Sequence, residues 1–154
     1  MVENVESCIH EVNEDFLSYI EDFLGEEDPR ERVRKLSRAE GYLRYLFFEL
    51  VGHLKDWKGG DLRTLVCGLS YLIPLGVRLC YDTEDGVQET ACGIVRDLID
   101  LAFSLMRRWR GSEEVKRVGA ELWTKLDVEN GLVDREEAES LAFRLSSAIS
   151  RLLV

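Results

Sequence analysis

The chain has 154 residues, a formal net charge of −10, and 45% apolar against 32% charged residues. That length suits one domain whose core can stand without disulfide or metal staples, and the composition excludes a disordered chain. The acidic balance disfavours broad binding to phosphate backbones and favours solubility and basic partners.

Only Pro29 and Pro74 interrupt a sequence rich in Leu, Ala, Glu and Arg, which favours helix over sheet. The expected fold class is all-α: residues 1–154 as a single-domain bundle of about six antiparallel-type helices around a Pro-kinked apolar central helix. Arg outnumbers Lys, and the amides are limited to Asn4, Asn13, Gln88 and Asn130, a composition compatible with a hot or salty cytoplasm.

The first helix is predicted over residues 3–24, where Val2, Val5, Ile9, Val12, Phe16, Tyr19 and Phe23 form one stripe and Gly25 takes the C′ place. Its start is acidic and amphipathic, unlike a secretory leader, so a cytoplasmic location is expected. Asp28-Pro29 opens a second helix reaching about Lys58, with Val33, Leu36, Leu43, Phe47, Leu50 and Leu54 on one face. Tyr45 and Phe48 fall on its other side, flanked by Gly41 and Gly52.

Gly59-Gly60 should stop that helix, and Asp61 should cap a third over residues 62–81, apolar nearly all round and therefore central. Pro74 removes one backbone donor and predicts a kink near Ser70, while Gly68 and Gly76 admit close neighbours. The most apolar run, residues 64–77, is shorter than the about 20 residues a bilayer requires, so no membrane span is expected.

The DTEDG loop, residues 82–86, leads to a fourth helix with Val87, Ala91, Ile94, Leu98, Leu101, Leu105 and Trp109 as its stripe. Ser112 recaps the chain after Gly111. The fifth helix, residues 113–126, uses Val115, Val118, Leu122 and Leu126; the sixth, residues 135–153, uses Ala138, Leu141, Ala142, Leu145, Ile149 and Leu152. The intervening LDVENGLVDREEAESL partly resembles a helix–loop–helix calcium loop. Asn130, Gly131, Val133, Asp134 and Glu137 fit one register, but its first two ligand positions fall on Leu126 and Val128. Calcium takes six to eight oxygens. Residues 127–137 are therefore expected to be architecture: an Asn130-Gly131 turn, Asp134 as N-cap, and Glu137 reaching back in the manner of a capping box.

Cys8, Cys67, Cys80 and Cys92 occur singly, without a C-x-x-C pair, and are expected as small buried apolar residues. Cys80 and Cys92 flank a turn and are the one pairing the order suggests, roughly 6 Å out of register in a simple hairpin. His10 and His53 each have acidic neighbours one turn away, but E-x-x-x-H spacing is that of a solvated pair, not of a di-iron site. No metal or cofactor is implied, and no nucleophile elbow, P-loop or dinucleotide fingerprint occurs. Glu26-Glu27, Glu31 and the Asp97/Asp100 pair are possible fragments of a magnesium site, otherwise of solvated faces.

Two basic clusters oppose the acidic mean. Arg30, Arg34 and Arg38 recur every four residues and continue into Tyr45 and Phe48, a pattern suited to an anionic partner or to nucleic acid. Arg107, Arg108 and Arg110 form the second and equally suit a helix C-terminus. Phe143, on the polar side of the sixth helix, joins Tyr45 and Phe48 as a candidate interface residue. The sequence thus points to protein–protein association by an adaptor or subunit, a homodimer among its forms. The alternatives are a nucleic-acid-binding subunit of a ribonucleoprotein complex and a metal-dependent acidic hydrolase.

Overall fold

The computed structural model describes residues 8–52, 59–82, 85–132 and 134–153. They form the α-helices α1 (Glu14–Leu24), α2 (Pro29–Gly52), α3 (Gly60–Asp82), α4 (Asp85–Arg108), α5 (Glu113–Lys125) and α6 (Arg135–Ser150), with 3-10 turns at Val128–Asn130 and Arg151–Leu153. The protein is an all-α bundle, and one continuous hydrophobic core joins all six helices.

Consecutive helices run antiparallel, so α2 and α4 run parallel, packed against each other and against their shared neighbour α3. Gly76 of α3 packs against Leu36 of α2 and Val95 of α4, and Gly68 packs against Leu43 and Phe16. A Cβ at Gly68 would lie 2.6 Å from Leu43 Cδ2, and one at Gly76 2.7 Å from Val95 Cγ2. These glycines set the close approach. In α3, only Gly60, Asp61, Arg63, Arg78 and Asp82 are exposed.

Pro74 lies inside α3 and takes away the amide that would have bonded to the Ser70 carbonyl. The Ser146 hydroxyl of α6 donates to that carbonyl instead, and Ser70 Oγ donates to the Ser146 carbonyl at 2.8 Å. Although the run 64–77 is short, the whole helix has 23 residues and is long and apolar enough to cross a membrane. Most of it is buried against its neighbours, which is the place of a core helix.

The first predicted helix is divided. Asn13 is the N-cap of α1, with Oδ1 accepting from the Phe16 amide at 2.8 Å. Its Nδ2 donates to Tyr42 Oη at 2.9 Å and its amide to Thr64 Oγ1 at 2.9 Å. These bonds offer the backbone an alternative to helix, so the stripe expected from residue 3 is not continuous. Gly25 ends α1 as expected, in a right-handed conformation at φ −81°. The expected extension of α2 to Lys58, with Leu54 and His53, lies outside the described residues.

One pair of cysteines departs from expectation and the other meets it. Cys8 and Cys67 are joined in a disulfide, which ties the segment before α1 to α3 across a sequence separation of 59. Cys80 and Cys92 are buried thiols outside any disulfide. They face each other across α3 and α4, without the predicted offset, and their hydrogen bond, followed by burial, pushes the Cys80 thiol far above its ordinary range.

The calcium-like stretch is architecture of a different kind from the one expected. Asp127 Oδ1 accepts from the Glu129 amide at 3.1 Å, and Gly131 takes φ +78°. Asp134 occupies the N-cap place of α6 but is left-handed at φ 56° and makes no side-chain cap bond. Glu137 does not reach back either. Both carboxylates turn to Lys125 Nζ, at 3.5 and 3.1 Å, so an ammonium stands where the sequence pattern suggested a cation ligand set.

Candidate functional site

Val33, Leu36, Ala39, Leu43, Leu46 and Leu50 bury one side of α2. At 100° per residue the opposite side presents Arg34, Arg38, Gly41, Tyr45, Phe48, Glu49 and Gly52, all exposed. Tyr45 is 55% and Phe48 64% exposed; with Leu24 at the end of α1 they are the large exposed hydrophobic residues among those described.

Both rings are braced. Tyr45 lies 6.2 Å, centroid to centroid, from Tyr42, which in turn meets Tyr19 at 5.4 Å and Phe16 at 6.4 Å. Tyr42 is held by Asn13, and burial pushes its phenol above the ordinary range. Phe48 rests edge-on against the half-buried Phe47 at 6.1 Å.

A depression lies on each side of this aromatic ridge. One, of about 520 Å³, is lined by Tyr19, Arg38, Gly41, Tyr42 and Tyr45. The other, of about 380 Å³, has Arg44, Phe47 and Phe48 of α2 facing Asp97, Asp100 and Arg107 of α4. A third, of about 440 Å³, sits at the helix starts, where Arg30 and Arg34 face Gly86 and Thr90.

Beneath the second depression Glu40 is 3% exposed. Its carboxylate accepts from Arg44 Nε at 3.0 Å and from a terminal guanidinium nitrogen at 2.5 Å. Asp97 approaches the same guanidinium at 3.7 Å. Desolvation raises the Glu40 pKa, Arg44 opposes the rise and Asp97 adds to it. The sequence reading missed Glu40; the signal that would have found it is its place on the buried face of α2, four residues before an arginine.

The candidate anion-binding arginines separate into different roles. Arg30 and Arg38 are exposed without a hydrogen-bond or ion-pair partner among the described residues, and Arg108 is exposed. Arg34 is paired with Glu31. Arg107 donates to Ser104 at 3.0 Å. Arg110 lies 4.9 Å over the Trp109 ring and donates to the Leu152 carbonyl at 2.7 Å, tying the end of α4 to the final 3-10 turn. Phe143 is half-buried on α6, whose principal neighbours are α3 and α5, so it lies apart from Tyr45 and Phe48.

The acidic fragments do not converge. Glu26 binds Lys35 at 2.9 Å, Glu31 binds Arg34, and Asp97 borders Arg44. Donor atoms of Cys8, Glu11 and Cys67 lie within 4.8 Å of one another, but the sulfurs are bonded together and Arg63 holds Glu11 at 3.0 Å. Comparisons with protein family models, curated proteins and solved structures gave no match.

Proposed function

We propose that the protein acts by protein–protein association through the outer face of α2, as an adaptor or structural subunit. The exposure of Tyr45 and Phe48, one turn apart on a helix whose other side is core, supports this most directly. Fully burying such a ring is worth about 1.5–3 kcal/mol, and aromatic anchors dominate interface energetics. Tyr42 and Phe47 already brace the two rings, so docking loses little side-chain freedom.

Nucleic acid is the second reading, supported by Arg30 and Arg38 on the same helix. Against it stand the −10 net charge, the carboxylate partners of Arg34 and Arg44, and the structural engagement of Arg110. We propose a cytoplasmic location; the amide-poor sequence suits a hot or salty cytoplasm, and intracellular disulfides occur in hyperthermophiles.

The test is a photo-crosslinking phenylalanine analogue at position 48, with exposed Glu121 of α5 as the control position, activated in the source cells. Adducts from position 48 to a defined protein segment, absent from position 121, are expected. Equal labelling from both, or none from 48, would remove the α2 face as the functional surface. Retention on RNA that is lost as salt rises would transfer the surface to a phosphate ligand.

A further inference from the structure

We infer that the occupant of the α2 face is a second copy of this chain, bound as an antiparallel two-fold helix pair in which each Phe48 enters its partner's notch at Gly41. This rests on the association reading above and adds the identity and geometry of the partner.

The first support is a glycine with no internal explanation. Gly68, Gly76 and Gly119 admit close neighbours, whereas a Cβ at Gly41 would meet nothing within 4 Å; Gly93 of α4 is equally open, but Gly41 lines a depression beside exposed aromatic rings. An exposed glycine in a helix interior is less favourable than alanine by about 1 kcal/mol. Here it floors the depression walled by Tyr19, Arg38, Tyr42 and Tyr45.

The second support is self-complementarity. A two-fold interface must present to itself a surface that fits itself. Phe48, the most exposed aromatic among the described residues, stands seven residues from Gly41 on the same face, or about 10 Å along the axis. A two-fold axis midway between them sets each Phe48 opposite the other copy's Gly41. Tyr45 then lies beside the axis and meets its own equivalent. The same axis sets Ser37 opposite Gly52, two small exposed residues that let the outer turns approach.

Charge is the third. Arg38 and Glu49 are exposed and have no partner among the described residues. The pairing brings them within about two residues of register across the interface, or roughly 3 Å along the axis, in two symmetric copies. Two chains of net charge −10 repel each other over most of their surface. The outer face of α2 lacks that acidic excess: Glu31 neutralises Arg34, and Arg38 and Glu49 balance one another across the two copies.

Sedimentation equilibrium on the full chain tests this, across protein concentration. The wild type is expected at twice its 17.7 kDa chain mass. The Cβ of Gly41→Leu meets nothing within 4 Å and its side chain occupies the notch, so it should yield a monomer whose helix content and melting temperature are not lowered. Phe48→Ala should do the same. Arg38→Glu and Glu49→Arg should each weaken the dimer at least tenfold, and the double swap should restore it. A dimer that survives Gly41→Leu and Phe48→Ala uses another face, and the inference falls. A monomeric wild type whose position 48 crosslinks to a different protein removes the second copy but keeps the α2 face. A monomer with no adduct from position 48 removes both.

Discussion

The Ser146 hydroxyl donates to the Ser70 carbonyl, the acceptor that Pro74 deprives of its helical amide. Both serines are buried, and the return bond from Ser70 Oγ to the Ser146 carbonyl closes the pair. A buried carbonyl left without a donor costs about 1–3 kcal/mol. Ser146→Ala should lower stability by that amount. Pro74→Ala returns an amide to the same carbonyl, so Ser146→Ala should cost less in that background. A double-mutant cycle by denaturant unfolding measures the difference; strictly additive losses would mean the carbonyl was not the group that matters.

The glycines should split by environment. Gly68→Ala pushes a methyl group into Leu43 and Phe16, with overpacking expected to cost about 1–3 kcal/mol. Gly93→Ala on α4 meets nothing within 4 Å and should stabilise by about 0.5–1 kcal/mol through helix propensity alone. Melting temperatures moving in the same direction for both would contradict the packing described for α3.

The disulfide between Cys8 and Cys67 closes a loop of 59 residues in sequence separation. Chain-entropy arguments assign such a closure about 4 kcal/mol. Unfolding curves with and without reductant should differ by up to that amount, and Cys8→Ser/Cys67→Ser should reproduce the reduced curve. Alkylation of the unreduced, denatured chain should label Cys80 and Cys92 alone. Label on all four cysteines, in protein never exposed to reductant, would remove the bridge.

The elements legible in the sequence were those set by local periodicity. The stripes of α4, α5 and α6 follow the 3.6-residue repeat, and their Leu, Ile, Val and Ala members are buried apart from the half-exposed Val87 at the start of α4. What escaped depends on partners distant in sequence. Asn13 breaks the first helix because Tyr42 and Thr64 hold it, and Cys8 finds Cys67 instead of the nearer Cys80–Cys92 pairing. Arg110 read as one of a basic cluster, yet its acceptor is the Leu152 carbonyl. Asp134 and Glu137 read as a cap because Lys125 lies across the turn on the preceding helix. For the candidate site, Tyr45 and Phe48 were visible as aromatics off the buried stripe. The Gly41 notch was not, since Tyr19 of α1 forms one of its walls.

Glu40 and Arg44 make the pH dependence of the fold testable. Desolvation raises the folded pKa of Glu40 above its unfolded value, despite the opposing Arg44 guanidinium. Between those two values the folded chain keeps a proton that the unfolded chain has lost. Stability from this group therefore falls as pH rises through the window, and acidification from neutral pH relieves the penalty. Glu40→Gln removes the titration, so its stability relative to wild type should fall as pH is lowered from 7 to 4. Arg44→Ala removes the compensating cation and leaves Glu40 buried near Asp97. It should cost about 1–3 kcal/mol at neutral pH, below the range for a fully buried pair because Arg44 is half exposed. That loss should shrink on acidification. Denaturant unfolding at each pH supplies the comparison, and a stability difference between Glu40→Gln and wild type that stays constant from pH 7 to 4 would show that Glu40 does not titrate with folding.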